Sequence, residues 1–205
     1  MDATAAARPA KAQRREEILE AAYAEFAQKG YAGASMEGIA RRAHASKETL
    51  YAWFDNKGAL FNTLVEQRLT GFGTRIKAAA GRDPSPANVL PVIAEDLLRL
   101  ALGVQPLTQG LADAGEQTLA RIGRTIARER QGFVDYLVYC RSQGHIAFDD
   151  DPFELASLFV AMSEGEWALR LGTGMVAEVT EEMIGAHARR VTHMFLAALS
   201  PRASG

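Results

Sequence analysis

Residues 35–57, SMEGIARRAHASKETLYAWFDNK, contain two short helical patterns around a turn, and the rest of the chain is read outward from them. Ser35 stands at the N-cap of a helix that ends near Ala43, with Glu37 in its first turn. A serine there accepts from a backbone N–H that has no partner within the helix. A second helix, KETLYAWF, starts at Ser46 across the turn Ala43-His44-Ala45. Short helices joined by three- or four-residue turns describe a helix-turn-helix unit. Ile39, Leu50 and Phe54 have the size and spacing of a small core between the two helices. The second helix then presents Lys47, Glu48, Thr49, Tyr51 and Trp53 outward, as a helix entering the major groove of DNA would. No glycine stands in the turn, but His44 is of a type that tolerates positive φ.

Upstream, a helix is predicted over about 9–29, with Ile18, Leu19, Ala22, Tyr23 and Phe26 on one face and Gly30 closing it. Downstream, a helix capped by Asn56 is expected to reach about 80, where Gly81-Arg82-Asp83-Pro84-Ser85-Pro86 forms the clearest break. Further helices are predicted at about 86–102, after Pro106, at 117–143, at 151–172 and from Thr180 to before Pro201. The start at Asp151 is strong, with Pro152 in the first position and Glu154 three residues after the cap. Strand signals are scarce. The expectation is an all-α chain of about nine helices. Residues 1–57 would form a tail and helix-turn-helix head, 58–80 a connecting helix, and 81–205 a helical effector-binding and dimerisation body.

The chain of 205 residues suits one or two small domains. Its net charge of −2 divides into +1 up to Lys57 and −3 beyond it, too little to argue for nucleic acid without the motif. A single cysteine, Cys140, excludes a disulfide framework within the chain and fits a reducing cytoplasm. No apolar run approaches the ~20 residues of a membrane span, and the Ala-rich, basic start lacks the apolar stretch of a secretory signal. HExxH, GxGxxG, GxxxxGK[ST] and GxSxG are all missing. The histidines His44, His145, His187 and His193 have no metal-ligand spacing. An enzyme is therefore not expected, and neither a cofactor nor a metal is called for.

From Arg14 to Val65 the chain resembles the DNA-binding domain of the TetR family. The resemblance is carried by Ile18, Ala21, Ala22, Phe26, Gly30, Tyr31, Ser35, Met36, Ile39 and Ala40. It continues through Ser46-Lys47-Glu48-Thr49-Leu50-Tyr51, Phe54, Lys57 and Leu60. It implies a dimeric regulator, usually a repressor, on a near-palindromic operator. It also implies phosphate contacts from Ser35, Tyr51, Lys57 and the position of Trp53. Lys47 and its neighbours Ser46, Glu48 and Thr49 are the candidates for base edges. Glu48 stands where small residues are common, and its carboxylate either accepts from a cytosine amino group or repels phosphate. The basic tail with Arg8, Lys11, Arg14 and Arg15 either reaches an adjacent minor groove or is disordered in its first part.

In the body, small residues Ser157, Ala161, Gly165, Ala168 and Gly172 recur on one helical face. Ile184, Ala188, Val191, Phe195 and Ala198 form an apolar face on the last helix. The resemblance implies that these two helices pair with their symmetry mates, which makes Ser157, Ala161, Gly165, Ala168, Val191 and Phe195 the candidate dimer interface. Packing within one subunit is the alternative. A stripe of Leu119, Ile122, Ile126, Phe133, Leu137 and Cys140 is interrupted by Glu129 or Arg130, and one of Leu155, Phe159, Met162 and Leu169 by Glu166. The resemblance implies an effector pocket here, so Glu129, Phe133, Phe159, Met162 and Glu166 are candidate contacts for a small apolar effector. The charges are equally suited to ion pairs. The alternative function is a DNA-binding regulator or structural protein without a small-molecule effector.

Overall fold

The computed structural model describes residues 3–113, 115–165 and 167–199, and of 3–10, 108, 109, 112, 168 and 172 the backbone alone. The described chain is helical, without strands, in the order α1 (Ala3–Gly33), α2 (Met36–Arg42), α3 (Lys47–Phe54), α4 (Lys57–Leu69), α5 (Phe72–Arg82) and α6 (Pro86–Val104). A 3-10 turn at Gln105–Leu107 leads to α7 (Thr108–Asp113), α8 (Glu116–Ser142), α9 (Pro152–Glu164), α10 (Trp167–Gly172) and α11 (Glu181–Ala198). The nine expected helices are eleven among the described residues, because two of them break at glycine. Gly71, at φ 91, separates α4 from α5, and Gly165, at φ 54, ends α9. Gly30, at φ 67 and ψ 173, likewise interrupts α1 where the closure was expected.

The expected helix starts are capped. Ser35 accepts from the Gly38 N–H, Ser46 from Thr49, Asp151 from Phe153 and Glu154, and Thr180 from Met183. Asn56 accepts from the Ala59 N–H at the start of α4. Each such cap contributes on the order of 1 kcal/mol.

The chain divides into two compact units, one within residues 1–68 and 106–123 and one within 69–105 and 124–205. The first unit buries Ile18, Leu19, Phe26, Ile39, Leu50, Phe54, Leu60, Phe61 and Leu64. Phe26, Tyr31 and Phe61 pack as an aromatic cluster with ring centroids 5.0–5.9 Å apart. Gly110 of α7 rests against this cluster so closely that a Cβ there would lie 2.8 Å from Tyr31 and 3.1 Å from Phe61. Arg121 adds a forked pair to Glu66, both bonds 2.9 Å.

The second unit is built around α6, which packs against α5, α9 and α11. Its core gathers Leu90, Ile93, Leu97, Phe133, Leu137, Cys140, Phe159 and Phe195. Glu129 of α8 accepts from the Gly73 N–H at 3.2 Å, in the first turn of α5. A carboxylate there satisfies an orphan donor and the positive end of the helix dipole. Gly132 permits the approach, since a Cβ on it would lie 3.0 Å from the Gly73 Cα.

Several expectations for the body change. Val191 and Phe195 are only 4% and 3% exposed and belong to the core, so they are not available to a partner. The small-residue stripe is not one continuous face, because the break at Gly165 falls inside it. Within it, Ser157 is half-buried and accepts from Arg130 at 3.1 Å, and Ala161 and Gly165 are exposed. The Ala168 side chain and Glu166 lie outside the described residues. Phe133 and Phe159 are fully buried side by side, ring centroids 5.2 Å apart. Met162 is half-buried and lines a surface cleft of about 520 Å³ with Trp167, Met183, His187 and Met194. Glu164, which sequence reading passed over, has its carboxyl pushed up by burial, with the Arg130 charge opposing.

Candidate nucleic-acid interface

The interface begins with what anchors α3. Leu50 and Phe54 point inward, almost wholly buried with Ile39, and the cap at Ser46 defines where the helix starts. Burying such side chains contributes roughly 1.5–3 kcal/mol each. The turn before α3 places His44 at φ 48, as a turn without glycine requires. The face left outward carries Lys47, Glu48 and Tyr51, the last 50% exposed. Two residues expected outward are less so. Thr49 is half-buried, its hydroxyl 3.0 Å from that of Ser46, and Trp53 is half-buried with its ring against Phe54.

The charges of this face are not independent. Lys47 pairs with Glu37 of α2 at 2.7 Å. The pair lowers the Glu37 carboxyl and raises the Lys47 ammonium, so both stay charged. Glu48 is held below the ordinary carboxylate range by its own backbone N–H and by Ser46, and carries a full negative charge at the start of α3. Lys57 donates to the carbonyls of Tyr31 (2.7 Å) and Ala34 (3.1 Å) and lies 4.5 Å from the Tyr31 ring centre. Two of its three donors are thus committed to the end of α1, so it ties α4 to α1 as well as facing solvent.

Sequence reading missed Glu25. It is only 2% exposed, yet it is a carboxylate, accepting from Lys29 at 2.6 Å and Arg42 at 3.4 Å. It joins α1 to the end of α2. The spacing to Lys29 was the one local sign; Arg42 is seventeen residues away.

Residues 18–64 match the model of the bacterial regulatory proteins of the tetR family. The match falls on the helix-turn-helix head. Over 52 residues, the chain is 48% identical to an HTH-type transcriptional repressor of Streptomyces coelicolor, a match covering 25% of this chain and 27% of that protein. The chain therefore spans about a quarter of the length of that relative (27%). The fold likeness reaches beyond the matched head. A protein of Mesorhizobium loti assigned to the TetR-family transcriptional regulators is 25% identical, with 93% of this chain and 98% of that one covered and a TM-score of 0.71. The fatty acid degradation regulator FadR of Bacillus halodurans shares the fold at 17% identity, over 90% of this chain and 98% of that one, with a TM-score of 0.75. FadR of Bacillus subtilis, in complex with stearoyl-CoA, shares it at 16% identity, 90% and 98% coverage and a TM-score of 0.75. Among the described residues, no helix is long and apolar enough to cross a membrane, and no cluster of histidine, cysteine and acidic residues could hold a metal ion.

Proposed function

We propose that this chain is a cytoplasmic, dimeric transcriptional regulator, a repressor, that binds a two-fold operator and is released by a small apolar effector. The observation that carries the DNA-binding part is the outward face of α3, with Lys47, Glu48 and Tyr51 exposed on a helix anchored by Leu50, Phe54 and the Ser46 cap. Tyr51, Ser35, Lys57 and Trp53 border that face as phosphate contacts, and Ser46, Lys47, Glu48 and Thr49 meet base edges. The Glu37 pair holds the Lys47 ammonium at the start of α3, where base edges are read.

Selection of bound duplexes from a random pool should return a near-palindrome with half-sites about 34–36 Å apart. Tyr51→Phe should then weaken binding to every sequence, whereas Lys47→Ala should relax preference at particular bases by about 1–3 kcal/mol. A wild-type protein with no preference for any duplex overturns the proposal.

The second copy is proposed to cover the outer surface of α9 and α11. Leu158 and Met194 are 55% and 56% exposed there and, with the small residues of α9, are the apolar side chains that a partner would cover. Ser157, Ala161, Gly165 and Ala168 belong to the same proposed contact. Gly165→Leu is a poor probe of it, because positive φ at Gly165 would strain any side chain. Leu158→Glu instead places a charge on the face without touching the core. Sedimentation should show it as monomer at concentrations where the wild type is dimeric; an unchanged dimer moves the interface elsewhere.

FadR of Bacillus subtilis was solved with stearoyl-CoA, a ligand with a long apolar tail, and this supports an apolar effector here. Phe133, Phe159 and Met162 remain the proposed apolar contacts, with Glu129 and Glu166 the proposed polar ones. The two rings are closed against each other, so the site forms only when the effector parts them. An effector that weakens operator binding must itself be weakened by operator, by the same factor.

A further inference from the structure

The N-terminal part of α1 grips the recognition helix α3 at both of its ends. Arg14 donates from Nη2 to the carbonyls of Ala43 (2.8 Å) and His44 (2.9 Å), and from Nη1 to Glu17 (2.6 Å). Those two carbonyls close α2 and form the turn into α3. Carbonyls at a helix end lack partners within the helix and favour a nearby cation. The next residue, Arg15, lies 5.5 Å from the ring centre of Phe54, the last residue of α3. The turn needs such a hold, because His44 sits at φ 48, where the Cβ of an L-residue crowds its own backbone.

We propose that Arg14 is a positioning residue: it clamps the strained Ala43–His44 turn and so sets the angle at which α3 meets DNA, without touching DNA itself. This rests on the DNA-binding reading above. Of the two alternatives for the tail, this speaks against the minor-groove one for Arg14 and Arg15, which are turned onto the head instead. Arg is suited to the task, because its planar fork serves two carbonyls and a carboxylate at once, which a lysine ammonium does not reproduce.

The test uses the full chain and a duplex returned by the pool selection, with binding measured by fluorescence anisotropy across a range of salt. An unrelated duplex is the control. Arg14→Ala and Arg14→Lys should each weaken operator binding about tenfold or more, leave the unrelated duplex within about twofold, and keep the salt slope of the wild type. His44→Gly added to Arg14→Ala should recover part of the loss, since glycine adopts this φ without a clamp. Four results overturn the proposal. One is an Arg14→Lys protein that binds as wild type while Arg14→Ala lowers the salt slope by about one, the mark of a lost phosphate contact. The others are equal losses on both duplexes, no loss in either variant, and no recovery with His44→Gly. If Arg14→Ala fails to fold, the ratio of operator to unrelated binding in Arg14→Lys decides alone. A wild type without operator preference removes the DNA-binding reading itself, before any Arg14 variant is measured.

Discussion

Phe159→Ala is expected to lower the stability of the chain by about 3–5 kcal/mol, on the order of 10 °C in melting temperature for a chain of this size. The ring is fully buried between Phe133, at 5.2 Å, and Phe195, at 4.7 Å, so the truncation leaves a gap that three different helices border. Such a gap is apolar and stays dry, and small apolar compounds can fill it. The variant should therefore regain melting temperature with benzene-sized compounds more than the wild type does. A loss under about 1 kcal/mol would mean that the ring is not packed as described. The same melting assay tests the effector. Compounds that stabilise the wild type should bind more weakly when operator is present, and equal affinity with and without operator rules out the switch.

In the head, Gly38→Ala should cost about 1–3 kcal/mol and carry operator binding down with it. A Cβ at this position would lie 2.2 Å from a carboxylate oxygen of Glu25 and 3.2 Å from the Ser35 hydroxyl that caps α2. The carboxylate cannot move aside freely, because Lys29 and Arg42 hold it. Displacement should also leave a pH signature. The hydrogen bond from Lys29 is the main reason that the Glu25 carboxyl titrates below its ordinary value of 4.5. A carboxyl with a depressed folded value contributes stability above its unfolded value and loses it as pH falls through the folded one. The gap between wild type and Gly38→Ala should thus be widest near neutral pH and narrow below 4.5. Melting curves followed by circular dichroism at about pH 7 and about pH 3 measure both gaps. Equal gaps at the two values would show that Glu25 is not what the new methyl displaces.

The helix starts at Ser35, Ser46, Asn56, Asp151 and Thr180 were legible in the sequence because a cap and the N–H it accepts from lie two or three residues apart. The inward set Ile39, Leu50 and Phe54 was legible for a similar reason, since helical period assigns a face before any partner is known. The tolerance of His44 for positive φ is likewise a property of one residue and its own backbone. The breaks at Gly71 and Gly165 were not legible: apolar spacing runs on across both, and a glycine inside a helix reads the same whether the chain turns there or continues. Tertiary structure alone decided the roles of the long, charged side chains. Glu129 finds its N–H fifty-six residues away, Arg14 its carbonyls twenty-nine and thirty away, and Glu25 its second cation seventeen away. It also decided that Val191 and Phe195 face their own core while Leu158 and Met194 face outward. Local pattern shows that a helix has an apolar face, but what covers that face depends on neighbours brought in from elsewhere in the chain, and no spacing within one helix encodes them.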